Sequence, residues 1–236
     1  MTRNEVTRIA VPFAIALVLL VSLLNQTAPP PVELPAGAPP VPPAEQTRLA
    51  FDQALAPGAP GYDRGSASAP VTVLEFADFG CRWCAHFAAE TWPVLETEYV
   101  RPGRVRWKYV PFVMGMFPNG DFAARTAECA AEQGMAAFVR THDRLFQQQA
   151  AWTRSSYPTD TFRAIAQAAR LDVGRFDACF VSEAPRDRVH ASNVLADRLG
   201  VRSTPTFFVN GERVEGALPV EQFRAILQDA LQRSSR

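Results

Sequence analysis

The residues best suited to chemistry are Cys81 and Cys84, separated only by Arg82 and Trp83. A Cys-x-x-Cys pair can be a redox dithiol, half of a zinc site or a structural bond. A zinc site needs four ligands. Cys129 and Cys179 stand apart from each other, and the histidines are only His86, His142 and His190, so no metal site is expected. A structural bond across two residues closes too small a loop to constrain the unfolded chain much. Thiol–disulfide exchange is the chemistry left, and it calls for no bound cofactor. Exchange begins with a thiolate, so one sulfur must ionise readily while the other is shielded.

The elements around the pair predict that placement. Val71–Phe76 is a strand, apolar on both faces and therefore central. The connection Ala77-Asp78-Phe79-Gly80 then delivers Cys81 to the first turn of a helix running to about Tyr99, with a kink or break at Pro93. Free N–H groups and the positive end of the helix dipole stabilise a thiolate there. Cys81 is thus expected to be the exposed, attacking sulfur and Cys84, one turn deeper, the resolving one. Arg82 adds a positive charge and Trp83 a flat apolar surface, both able to tune the pair. Either could equally be an ordinary surface residue.

Val105–Val110 reads as a second strand. Helical patterns follow over Ala123–Gln133, Met135–Gln148, Asp160–Ala169, Val173–Val181 and Arg186–Leu199, with Gly134 and Gly200 as terminators. Thr206–Val209 is a third strand, Asn210-Gly211 a hairpin turn, Arg213–Glu215 the return strand and Val220–Leu231 a closing helix. This order predicts an α/β thioredoxin fold with a helical insertion at about 119–199. Thr204-Pro205 stands just before an apolar strand, an awkward place for proline. A cis bond there, facing the dithiol, would offer the Thr204 backbone to an extended substrate peptide.

Glu75 falls in the middle of the first strand and Lys108 in the second; Lys108 is the only lysine among 24 Lys and Arg residues. A buried carboxylate is costly unless paired, so Glu75 and Lys108 are expected to form a buried pair relaying a proton to or from Cys84; a solvated edge lysine and a partly exposed glutamate are the other reading. Cys129 and Cys179 are expected to form a structural disulfide between two helices of the insertion. A second redox pair or two free thiols are the other readings. The apolar segment from Phe112 to Pro118 either lines a groove for unfolded substrates or packs on the helical block.

Three stretches, VLEFADFGCRWCAHF, FPNGDFAARTAECAAEQG and LGVRSTPTFFVNGERVEG, resemble the DsbA family of thiol–disulfide oxidoreductases, particularly its membrane-anchored branch. The likeness spans about Ser66 to Leu231. It implies a thioredoxin fold with a helical insertion, a redox dithiol at Cys81 and Cys84, a cis-proline at Pro205 and a buried acid–lysine pair at Glu75 and Lys108. It also implies exported, reduced or unfolded protein substrates, and recharging by a quinone-linked membrane partner of the DsbB or vitamin-K-epoxide-reductase type. The Arg82-Trp83 dipeptide departs from the familiar Pro-His, and that dipeptide tunes the potential.

Acidic and basic residues balance at 24 each, which gives no reason to expect a nucleic-acid partner. Ile9–Leu24 is apolar apart from Pro12 and Ser22 and follows Arg3 and Arg8, so residues 9–26 are read as a signal anchor and 1–8 as a cytoplasmic end, a cleaved signal being the other reading. Residues 27–61 read as a proline-rich linker, with a short helix conceivable over 44–55, and 62–236 as the catalytic domain. The expected location is the cell (inner) membrane, single-pass, with the domain in the oxidising extracytoplasmic space or periplasm. Within that frame an oxidase is expected. The alternatives are a reductase or isomerase of the same fold, or a non-catalytic peptide-binding or chaperone module.

Overall fold

The computed structural model of the chain describes residues 43–235. The expected cytoplasmic end, the anchor at 9–26 and the proline-rich stretch through residue 42 lie outside the described residues. Among those described, no helix is long and apolar enough to cross a membrane.

Five strands form one sheet: β1 (Tyr62–Arg64), β2 (Val71–Ala77), β3 (Val105–Pro111), β4 (Thr206–Val209) and β5 (Glu212–Glu215), in the order β1-β3-β2-β4-β5. β2 and β3 run parallel, whereas β1–β3, β2–β4 and β4–β5 are antiparallel. β2 is central and almost wholly buried, as its two-faced apolar sequence requires.

Strand alternation sorts the side chains. Val71, Val73, Trp107 and Phe207 face one layer, where they pack with Phe87, Trp92, Leu95, Phe223 and Leu227. Leu74, Phe76, Val110 and Phe208 face the other layer, with Leu195, Leu199, Ala50, Phe51 and Ala54. The last three belong to helix α1 (Pro43–Ala54). Ala54 is fully buried, and α1 belongs to the same compact unit as the sheet. Residues 43–61 are therefore part of the folded unit and not linker: three apolar side chains on one face of α1 join Leu195 and Leu199 in covering this sheet face.

The dithiol helix is interrupted. It comprises α2 (Arg82–His86), a π-helical turn at Phe87–Thr91, α3 (Trp92–Leu95) and a second π-helical turn at Glu96–Val100. Pro93 sits in the first turn of α3. Having no N–H, it cannot continue the regular ladder, and the Trp92 N–H reaches back to the Phe87 carbonyl.

Between β3 and β4 lie α4 (Gly120–Ala131), α5 (Met135–Gln147), α6 (Gln149–Trp152), α7 (Pro158–Ala168), α8 (Val173–Val181) and α9 (Ala184–Arg198); α10 (Val220–Ser234) closes the chain. Helices α4 to α8 share one apolar cluster with Phe79, Cys81, Cys84 and Tyr109, so the insertion forms the floor beneath the dithiol. A Cys129–Cys179 disulfide ties α4 to α8, with Cα atoms 5.7 Å apart. Beside it, Arg125 donates to the Phe180 carbonyl.

Candidate active site

Cys81 is the N-cap of α2, with extended backbone, and its carbonyl accepts from the Ala85 N–H at 3.1 Å. The loop ahead of it is held by Asp78. One carboxylate oxygen accepts from the Gly80 N–H and the other from the Met114 N–H, each at 2.8 Å, while the Asp78 carbonyl accepts from the Cys81 N–H at 3.0 Å. Gly80 is required by close approach: a Cβ there would come within 2.3 Å of Phe117 Cβ. From the insertion, Gln149 donates to the Phe79 carbonyl at 2.6 Å and to the Cys81 carbonyl at 3.0 Å.

The facing wall is the loop before β4. The Thr204-Pro205 peptide bond is cis, and the Cys81 thiol lies 3.3 Å from the Thr204 carbonyl oxygen. Thr204 Oγ1 in turn contacts Met114 Sδ at 3.4 Å. The segment from Phe112 to Pro118 therefore borders the site, and its Met116 is 67% exposed.

Both thiols are free in this state. Cys81 is only 5% exposed and Cys84 is fully buried, so the attacking sulfur is less open than its place at a helix start suggests; the Thr204-Pro205 loop covers it. Their acidities diverge. The Cys84 thiol, then the Thr204 side chain and the N–H groups of Cys84 and Trp83, pull Cys81 down to about 5, against an opposing effect of burial. Burial pushes Cys84 well above the ordinary thiol range, and its hydrogen bond to Cys81 and the Cys81 charge push the same way. Trp83 is half-exposed beside the pair, and the Arg82 guanidinium stacks 4.6 Å from the centre of its ring.

Glu75 is buried below the site. It accepts a 2.7 Å hydrogen bond from Trp107 Nε1, and burial raises it to about 7. The expected Glu75–Lys108 pair does not form. In the β2–β3 register Lys108 aligns with Leu74, whereas Glu75 aligns with Tyr109. Successive side chains of a strand point to opposite faces, so Lys108 turns away from Glu75. Lys108 aligns across β1 with Asp63. Its ammonium reaches the Ala59 carbonyl at 3.3 Å and an Asp63 carboxylate oxygen at 3.8 Å.

Gln149 was not singled out by sequence reasoning, Met114 entered only as part of the Phe112–Pro118 segment, and Asp78, expected near the surface without a role, is buried. An aspartate two residues before a glycine is a turn signal that could have flagged Asp78; burial lifts it to about 6. Gln149 carries no comparable signal, because its partners lie some seventy positions away.

Strand order, interrupted dithiol helix, cis-proline wall and helical insertion together define a thioredoxin-type protein. The family model described as Thioredoxin matches residues 60–229, and the chain belongs to that family. Its fold is that of the DsbA-type proteins. The structure of α-DsbA1 from Wolbachia pipientis aligns with a TM-score of 0.67 at 19% identity, covering 76% of this chain and 94% of that one. A probable disulfide bond formation protein D from Bacillus cereus is 28% identical over 149 residues, which is 62% of this chain and 68% of that protein. A Na(+)/H(+) antiporter NhaA 3 from Salinispora tropica is 37% identical over 169 residues, 71% of this chain. The chain spans only 24% of that antiporter's length, so the likeness is to a segment of it.

Proposed function

We propose that this chain is an extracytoplasmic thiol–disulfide oxidoreductase working as an oxidase: it donates the Cys81–Cys84 disulfide to exported, reduced protein substrates. A substrate thiolate attacks Cys81 Sγ, the Cys81–Cys84 bond breaks, and Cys84 departs with the bonding electron pair. A second substrate thiolate then attacks the substrate sulfur of the mixed disulfide and releases Cys81 as thiolate. The substrate has lost two electrons, and the enzyme holds them as a dithiol. Cys84 needs a proton because its thiolate is disfavoured, and Glu75 is the store for it. The Thr204 backbone and the Trp83 and Met116 surfaces receive the substrate segment.

The observation carrying this reading is the placement of the pair, with Cys81 at a helix start 3.3 Å from the Thr204 carbonyl and Cys84 fully buried behind it, which favours ionisation of Cys81 over Cys84. A stabilised Cys81 thiolate favours the reduced state and so makes the disulfide a better oxidant. On the general scale, low-pKa dithiols reach about −120 mV, whereas thioredoxin with a pKa near 7 lies at about −270 mV. The likeness to a disulfide bond formation protein supports the same direction. Tethering by residues 9–26 and recharging by a quinone-linked membrane partner complete the proposal.

The deciding experiment is the reduction potential of Cys81–Cys84 against glutathione, read by Trp83 fluorescence. A value of about −120 to −180 mV supports the oxidase, and one below about −230 mV assigns a reductase instead.

A further inference from the structure

His142 is a buried titratable group that the exchange chemistry leaves without a task. It stands on α5, 5% exposed, walled by aromatic rings: Tyr109 at 4.7 Å between ring centres, Phe146 at 5.0 Å, and Phe79 and Phe138 at 5.8 Å. Tyr109 is the register partner of Glu75, so His142 packs on the Glu75 face of the sheet. A small cavity of about 10 Å³ lies there, with Glu75, Trp107, Tyr109, Arg64 and His142 among its lining residues. That is space for about one water molecule, and the cavity has polar partners to hold it. On its other side, His142 Nδ1 lies 3.0 Å from an Asp143 carboxylate oxygen, and the Asp143 side chain is 48% exposed. A carboxylate at Nδ1 selects the tautomer with hydrogen there and leaves Nε2 as the basic nitrogen.

We propose that His142 is the outlet through which buried Glu75 exchanges its proton with solvent, by way of one water in this cavity on the inner side and Asp143 on the outer side. The proposal rests on Glu75 as the proton store for Cys84. During substrate oxidation the proton moves from the Glu75 carboxyl to the Cys84 thiolate, leaving a carboxylate and a thiol. One solvent proton then arrives through Asp143, His142 and the water to restore the Glu75 carboxyl, so in each turnover the enzyme takes up two electrons and one proton, and the remaining negative charge rests on the Cys81 thiolate. This assigns to His142 the exchange function that the sequence suggested for Lys108.

The surroundings suit a transient imidazolium. Asp143 and Glu96 favour it, whereas burial and Arg64 oppose it. Burial is the largest influence and holds His142 below its ordinary value, with Asp143 pulling the other way. Histidine is therefore neutral at rest and can pass protons without storing one.

The test reads Glu75 itself. After a pH jump from about 5 to about 8 on the oxidised protein, the carbonyl stretch of protonated Glu75 decays in time-resolved infrared; the band is assigned by its loss in Glu75→Gln. His142→Phe should slow that decay by about tenfold or more, and Asp143→Asn, at the exposed end, should slow it less. Both variants should leave the reduction potential unchanged, because an outlet alters rates and not equilibria. An unchanged decay in His142→Phe overturns the proposal. If that variant does not fold, an unchanged decay in both His142→Gln and Asp143→Asn overturns it equally. The Glu75 reading fails separately, when Glu75→Gln leaves the pH dependence of single-turnover reduction by glutathione as it was.

Discussion

The chain holds two cysteine pairs that the fold treats in opposite ways. Cys81 and Cys84 lie within one turn of one helix, with their sulfurs at the junction of α2, the Thr204-Pro205 loop and the insertion. Cys129 and Cys179 lie fifty positions apart on α4 and α8, already joined and packed within the insertion. A bond inside one turn constrains almost nothing and can open cheaply. A bond across a fifty-residue loop restricts the unfolded chain and has structural value only while closed. Helix-start N–H groups and the Thr204 side chain act on the first pair. The difference between a reagent and a staple is thus set by loop length and surroundings, not by residue type.

The sharpest way to break the comparison is to remove one sulfur from each pair. Cys81→Ser should abolish oxidation of a reduced dithiol peptide, while Cys129→Ala with Cys179→Ala should leave it largely intact. Equal loss in both would mean that the second pair takes part in exchange. The next largest effect is on stability. The Cys129→Ala, Cys179→Ala variant should lose about 4 kcal/mol in urea unfolding, the chain-entropy value for a loop of this size. A loss near zero would remove the staple from the account.

The ionisation of Cys81 supplies a pH test with a definite sign. Its folded value, about 5, lies below the ordinary 9.0, so the reduced form gains stability as pH rises between those values. That gain is complete above about 9 and is lost as pH falls through about 5. The oxidised form has no such thiolate. The difference in melting temperature between reduced and oxidised protein should therefore move in favour of the reduced form from pH 5 upward, and iodoacetamide labelling of Cys81 should follow the same midpoint. A labelling midpoint near 9 would contradict the asymmetry. The smallest effect is expected at Lys108. Lys108→Arg should change the exchange rate little, because the side chain lies on the sheet face away from Glu75; a large loss would restore the relay through Lys108.

Much of this site was legible in the residues. A strand leading into Cys-x-x-Cys, and a Thr-Pro ahead of a second apolar strand, are local patterns whose physics is short-range. The Lys108 expectation failed for an identifiable reason. Strand β1 is only three residues long and gives no periodic signal, so the partner it brings, Asp63, was invisible. Two strands with undetermined register also leave open which side chains share a face. Helix α1 was placed in the linker because its value lies in covering Phe208 and Leu74 from far along the chain.

What the sequence by itself determined is therefore the chemistry and the order of elements. Thiol reactivity, the Pro93 interruption and strand and helix periodicity are properties of neighbouring residues. Only the tertiary structure decided that Glu75 meets Trp107 and not Lys108, that Thr204 closes over Cys81, and that His142 shares a cavity with Glu75. These contacts join residues tens of positions or more apart. Strand register and helix packing fix them, and a one-residue shift of register would send each strand side chain to the opposite layer.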